Sequence, residues 1–207
     1  MINTSEDVQA RRKIWVICEG KHEQEGALLH LIQRIMPGAE NCDYEFDSWK
    51  SPRAGRRKFR TNNKGDGIFK KFIAMLFDAQ QIGFDAVIAV IDCDCDRGRI
   101  NSVNAAQDEP TVLFPRAFGV AVETFDSWFL SDEAALSKVF NTTIDRQSNP
   151  ESNRDSKVAM RLLRNQSGLS LGLSECYSKL AETADIALIG KRCPKGFAVW
   201  KDRVAKL

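Results

Sequence analysis

The chain has 207 residues, of which 43% are hydrophobic and 28% charged, with a formal net charge of +2. These values indicate a soluble globular protein of one domain, or one domain with a small appendage, that can bury a sizeable core. Overall charge favours no class of partner, so the local distribution of charge carries more information.

The six cysteines include no CxxC pair, which argues against a zinc site and predicts reduced, mostly structural thiols. No apolar stretch is typical of a signal peptide or reaches transmembrane length. We therefore expect a cytoplasmic protein with no membrane partner, and the sequence is compatible with a homo-oligomer.

The first predicted strand, residues 13–18, is a short buried run that ends at Glu19. A helix is predicted over 21–36, with Glu23 in its first turn. The helix dipole favours a carboxylate there, so Glu23 is explained as readily by the helix as by a metal. Residues 43–49 alternate well enough to form a second strand.

Residues 50–64 contain seven Lys and Arg and no acidic residue, with Phe59 among them. A flexible electropositive loop is the best candidate for contacts to phosphates, although such a loop is also explained by solvation alone. A helix predicted over 67–82 adds two lysines near its start. The predicted nucleic-acid contacts are Arg53, Arg56, Arg57, Lys58, Arg60, Lys64, Lys70 and Lys71.

Residues 84–91 form the most apolar predicted strand, as in a buried parallel sheet, and Asp92, Asp94 and Asp96 follow at every second position. Residues two apart on an extended chain point the same way, so we expect the three carboxylates on one side, at the edge where α/β sheets bind ligands. Clustered carboxylates repel one another without a cation, and oxygen-only clusters suit Mg²⁺ or Mn²⁺.

The structural alternative is that these aspartates are solvated loop residues or helix N-caps. An EF-hand is excluded, because Gly98 comes one place late and the twelfth position is Val103 rather than Glu. From Gly98 to Pro115 we expect an irregular stretch.

A further buried strand is predicted over 117–122, and Glu123 follows it directly. Glu123 and Asp126, three residues apart at a helix start, are expected to face the same side. Capping explains one of them, but Thr124 is a better cap than Glu123. In the C-terminal part, helices are predicted over 157–164, 173–188 and 193–207.

Three predicted strands thus end at Glu19, Asp92 and Glu123, and each places a carboxylate at the same edge of a parallel sheet. Together they predict an α/β fold with a two-metal oxygen site, as used in phosphoryl transfer. No P-loop is present, so ATP hydrolysis would need a partner protein.

Two motifs resemble the TOPRIM domain of topoisomerases, bacterial primases, RecR recombination proteins and OLD-family nucleases. They are the Glu-Gly pair after the first strand, Glu19 and Gly20, and the Asp-x-Asp-x-Asp motif after a later hydrophobic strand. The resemblance covers about residues 13–130. It implies a compact Rossmann-like domain over 13–135, with a mostly parallel sheet and helices on both faces. We expect the helices predicted after it to form an extension over 136–207 that packs on this domain as one globular unit.

The resemblance also implies roles for residues. Glu19 matches the TOPRIM glutamate, and in OLD-family nucleases later carboxylates and a lysine complete the site. The implied catalytic residues are Glu19, Asp92, Asp94 and Lys157, and the implied ligands of two Mg²⁺ or Mn²⁺ ions are Glu19, Glu23, Asp92, Asp94, Asp96, Glu123 and Asp126.

The segments EGKHE at 19–23 and ETFDSWFLSD at 123–132 resemble small stand-alone TOPRIM proteins that neighbour an ABC-type ATPase in bacterial defence regions. The expected function is metal-dependent hydrolysis of phosphodiester bonds in nucleic acid, DNA rather than RNA, with an ATPase partner.

Two alternatives remain open. A non-catalytic adaptor like RecR would tolerate loss of the carboxylates, which this chain keeps. A DxD sugar-nucleotide transferase leaves Glu19 and the basic loop unexplained. A topoisomerase is excluded, because Tyr44 and Tyr177 are the only tyrosines and no domain supplies a nucleophile.

Overall fold

The computed structural model describes residues 10–50 and 66–207, apart from the side chain of Asp66. Four strands form one fully parallel sheet in the order β2-β1-β3-β4. The strands are β1 (Arg12–Cys18), β2 (Cys42–Ser48), β3 (Ala86–Asp92) and β4 (Arg116–Ala121). The predicted contacts between Arg53 and Lys64 lie outside the described residues.

Helices cover both faces of this sheet, and the predicted α/β fold class is confirmed. They are α1 (Leu28–Ile35), α2 (Asp66–Ile82), α3 (Arg97–Gln107), α4 (Asp126–Phe129), α5 (Glu133–Phe140), α6 (Ser156–Gln166), α7 (Leu173–Thr183), α8 (Ile186–Arg192) and α9 (Phe197–Val204). Within residues 10–50 and 66–207, none of the helices has the length and apolar character needed to cross a membrane.

Alternating strand residues divide the core into two layers, as the period of a strand requires. Trp15 and Ile17 pack with α2 and α3, whereas Ile14 and Val16 pack with α1 and the C-terminal helices. The C-terminal helices therefore share their core with the sheet. Trp200 of α9 lies so close to Gly119 of β4 that an added Cβ there would be 2.5 Å from the indole.

The predicted helix over 21–36 is interrupted. A π-helical turn spans Glu23–Ala27, and α1 begins only at Leu28. Gly26 has a φ of 126°, a conformation that a side chain disfavours, and this residue breaks the helical geometry. The predicted helix over 173–188 is likewise two helices, because Asp185 caps a new one through the N–H groups of Ala187 and Leu188.

The prediction of an irregular stretch from Gly98 to Pro115 is wrong, because α3 occupies most of it. Asp96 caps this helix by accepting a hydrogen bond from the Gly98 N–H at 3.0 Å. Val103 and Ala106 are fully buried on the side that packs toward the sheet.

The strand order fixes where a site can form. From β1 the chain adds β2 on one side of β1, and then returns to place β3 on the other side. The C-terminal ends of β1 and β3 therefore border the switch point, where open α/β sheets leave a crevice for ligands.

Candidate functional site

A cavity of about 240 Å³ lies at the C-terminal ends of β1 and β3. Five carboxylates line it, from the strand ends, the π-helical turn and α4: Glu19, Glu23, Asp92, Asp94 and Asp126. Cationic side chains line it as well, namely Lys21, Lys50, Lys157 and Arg161. The predicted convergence of acidic side chains at this edge of the sheet is therefore present for these five residues.

Asp92 is the last residue of β3 and is 4% exposed. Its Oδ1 accepts a hydrogen bond from the Phe125 N–H at 2.8 Å, and its Oδ2 accepts one from Lys157 Nζ at 2.7 Å. Burial raises the pKa of Asp92 to about 6, although the Lys157 ammonium acts in the opposite direction. The side chain is thus fixed in place, and its pKa lies closer to neutral pH than that of an ordinary aspartate.

Glu19 follows β1, and its Oε2 accepts a hydrogen bond from the Asp92 N–H at 3.2 Å. Arg99 of α3 lies 3.2 Å from the same oxygen and donates to the Asp92 carbonyl at 2.7 Å. Arg99 also lies 3.5 Å from Asp94 Oδ2. This arginine links both strand ends, and the sequence analysis missed it, because the helix that presents it was predicted to be irregular.

Glu23 is buried, with 5% of its surface exposed, and burial raises its pKa to about 8, with nearby Asp92 acting in the same direction. Within the described part of the chain its buried Oε2 forms no hydrogen bond. A Cβ on Gly20 would be 2.2 Å from that oxygen, so a side chain at this position would force the Glu23 carboxylate to move. Gly20 therefore has two roles: it forms the turn after β1, and it leaves space for the Glu23 carboxylate.

Asp126 is 7% exposed and accepts a hydrogen bond from the hydroxyl of Tyr177, on α7. The Tyr177 ring stacks on His22 at 4.8 Å, and His22 Nδ1 lies 2.7 Å from the Ser174 hydroxyl. Burial raises the pKa of Tyr177, and the adjacent Asp126 carboxylate adds to the rise. Tyr177 was missed as a site residue, because nothing local in the sequence of α7 distinguishes it from a core tyrosine.

The expectation that Asp92, Asp94 and Asp96 share one side is wrong for Asp96. Asp94 and Cys95 have positive φ angles of 49° and 63°, so the chain turns and the alternation of the strand ends. Asp94 lines the cavity, whereas Asp96 caps α3.

The expectation that Glu123 and Asp126 face the same side is also wrong. Glu123 lines a different cavity, where its carboxylate lies 3.3 Å from Cys95 Sγ and 3.9 Å from Arg154 Nε. Asp126 begins α4, a short helix, and lines the first cavity. A separation of three residues brings side chains together only within one continuous helix, and Glu123 precedes this one.

Of the two predicted contacts on α2, Lys70 is exposed and Lys71 is not. The Lys71 ammonium is buried, donates to the Trp49 carbonyl and lies 4.0 Å from the centre of the Trp49 ring. Burial lowers its pKa to about 8. Lys71 is therefore a poor contact for a phosphate, contrary to the prediction.

The lining residues fit Mg²⁺ by chemistry, because carboxylate oxygens are the ligands it prefers and Glu23 offers a buried oxygen without a donor. Among the described residues, however, no group of three or more His, Cys, Asp or Glu side chains is arranged to hold a metal ion. Asp92 and Glu19 are paired with Lys157 and Arg99 instead. An ion would therefore compete with these two cations for the carboxylates.

In comparison with known proteins, no protein-family model, no curated protein and no solved structure matches the chain. The resemblance to the TOPRIM domain stays a prediction from the Glu19-Gly20 and Asp92-x-Asp94 motifs.

Proposed function

We propose that the cavity is the active site of a TOPRIM-like, Mg²⁺-dependent hydrolase of phosphodiester bonds in nucleic acid. The observation that carries the proposal is the convergence of five carboxylates, most of them buried, in one cavity at the switch point of a parallel sheet. Ionised carboxylates repel one another, and a divalent cation would offset the part of this cost that Lys157 and Arg99 do not.

Glu19, Asp92 and Asp94 would hold one Mg²⁺, with Glu23 and Asp126 as further oxygen donors. A second ion loses support, because Glu123 and Asp96 lie elsewhere. When bound, Mg²⁺ supplies an activated water and offsets the charge that develops on the departing oxygen.

The residues of the chain position the reacting groups. The Phe125 N–H fixes the orientation of the Asp92 carboxylate at 2.8 Å. Lys157, released from Asp92, provides a cation for the oxygens of the scissile phosphate, and Arg161 and Lys50 line the same cavity. Asp92, with its pKa raised to about 6, is ionised at neutral pH and so able to bind a cation.

The test is a cleavage assay on labelled single-stranded DNA, duplex DNA and RNA, with Mg²⁺, Mn²⁺ or EDTA. The informative variant is Asp92→Asn, which keeps the shape of the side chain and removes its charge. Asp145→Asn is the control, an exposed carboxylate that lines neither of the two cavities. We expect metal-dependent cleavage that is lost in Asp92→Asn and kept in Asp145→Asn. Equal cleavage by both variants would reject the site.

A second candidate function is a nucleic-acid-binding adaptor without catalysis. It is favoured by one observation: Lys157 and Arg99 already pair with the carboxylates, and the described residues form no ready metal group. An adaptor would bind the same nucleic acids equally well in EDTA and Mg²⁺ and cleave none of them. An ATPase partner stays a prediction, tested by repeating the assay with the partner and ATP.

A further inference from the structure

A second cavity, of about 350 Å³, opens at the same edge of the sheet, beyond β3 and β4. Its lining includes Cys95 and Glu123 from the strand ends and three cationic side chains, Arg97, Arg154 and Lys195. The function proposed above uses none of these five residues.

Two of the three cations of this cavity come from anchored segments, whereas the side chain of Arg154 is 76% exposed. The backbone N–H groups of Lys195 and Gly196 both donate to Glu151 Oε1, at 2.9 and 2.6 Å, and Glu151 is only 4% exposed. A Cβ on Gly196 would be 2.7 Å from the Val120 carbonyl, so this turn is pressed against the end of β4. Arg97 is the first residue of α3 and is held by that helix.

The charge around this cavity is unbalanced. Among the described lining residues, the three cations face one carboxylate, Glu123, which accepts a hydrogen bond from Cys95 and lies 3.9 Å from Arg154. The nearby Glu151 is not part of the lining and binds backbone N–H groups. Cations that converge without enough counter-charge repel one another, and a bound anion removes that cost. Arginine presents a planar set of donors that matches two oxygens of a phosphate, and lysine adds a point charge.

The linings of the two cavities share the turn after β3. Asp94 lines the first cavity, and the next residue, Cys95, lines the second. The α-carbons of consecutive residues lie about 3.8 Å apart, so the linings of the two cavities adjoin at this turn.

We propose that the second cavity binds a backbone phosphate of the nucleic-acid strand whose neighbouring nucleotide occupies the first cavity. The inference rests on the proposed function for the identity of the ligand. It assigns to Arg97, Arg154 and Lys195 a role in binding the strand and none in the chemical step.

The test compares the double variant Arg154→Ala/Lys195→Ala with Lys138→Ala, an exposed lysine of α5 that lines neither cavity. Binding of a labelled single-stranded oligonucleotide is measured in EDTA over a range of salt concentrations, with circular dichroism to verify folding. Loss of one phosphate contact should reduce the slope of log K against log[salt] by about 0.7 for a single strand. In Mg²⁺, cleavage by the double variant should show a higher KM and an unchanged kcat.

An unchanged salt slope in the folded double variant would overturn the proposal. A second experiment titrates inorganic phosphate at constant ionic strength. Saturable phosphate binding that the double variant loses, with its oligonucleotide slope unchanged, would assign the cavity to a free phosphate and overturn the strand assignment. The two proposals can fail separately. A reduced salt slope without any cleavage would support the phosphate site and reject the nuclease. Cleavage with an unchanged salt slope would support the nuclease and reject the phosphate site.

Discussion

The sharpest prediction concerns the buried carboxylate of Glu23. Its pKa is raised from an ordinary value of 4.5 to about 8, chiefly by burial. Between these two pH values the folded protein retains a proton that the unfolded chain has lost. The free energy of unfolding must therefore fall as the pH rises through this window, and the loss is complete above pH 8.

The magnitude follows from linkage at about 1.4 kcal/mol per pH unit, which gives a total penalty of about 5 kcal/mol for a rise of this size. Between pH 5 and 8.5 the penalty grows by about 4 kcal/mol. Glu23→Gln has nearly the same shape and cannot ionise. Relative to the wild type, we expect the variant to gain about 4 kcal/mol of unfolding free energy between those two pH values.

The assay is denaturant unfolding in EDTA at pH 5, 7 and 8.5. Glu25→Gln is the matched control, because Glu25 lies in the same turn but is exposed, with a pKa lowered by its hydrogen bond to Ser174. Glu25 is ionised across the whole window, so its removal should leave the pH dependence as it is. If wild type and Glu23→Gln lose stability in parallel, Glu23 ionises normally in the folded protein and the reasoning from burial is refuted.

Three further predictions follow from the same contacts. Gly20→Ala should lower the unfolding free energy by about 1–3 kcal/mol, because the new Cβ would be 2.2 Å from Glu23 Oε2. Adding Glu23→Ala to this variant should recover most of the lost stability, and strictly additive effects of the two substitutions would contradict the prediction. Lys157→Met should raise the pKa of Asp92 further, as measured by carboxyl NMR, and should lower the unfolding free energy by only about 1 kcal/mol, because the lysine is 47% exposed. An unchanged pKa of Asp92 would show that the ion pair does not form. Mg²⁺ at about 100 times its Kd should stabilise the wild type by about 2.7 kcal/mol in thermal unfolding and leave Asp92→Asn unaffected, whereas equal stabilisation would place the ion elsewhere.

The sheet and part of the site follow from the sequence. Buried β-branched runs separated by helical segments predict a parallel sheet, and the C-terminal ends of parallel strands lie at one edge. The contact between Glu19 and the Asp92 N–H is a direct consequence of that rule. The sequence therefore identifies Glu19 and Asp92 as neighbours, although 73 residues separate them.

What the sequence does not provide is the path of the chain after each strand. Asp96 was predicted on the assumption that the extended geometry continues, but the left-handed residues Asp94 and Cys95 end it. For Lys71 a signal was available: it lies three residues after Ile68 and four before Met75, both buried, so it falls on the apolar face of α2. The usual preference of lysine for solvent favoured the prediction that Lys71 contacts nucleic acid.

The candidate site is also not confined to the segment that carries the recognisable motifs. Lys157 contacts Asp92, and Tyr177 contacts Asp126. Both of these residues come from helices beyond residue 135. These helices share one apolar core with the sheet, where Trp200 packs against Gly119 and stacks on Trp128. Because the C-terminal helices supply both counter-charge and core, the carboxylates depend on them for their arrangement. The extension is thus part of the site, and the motifs alone describe only the half of it that the strands present.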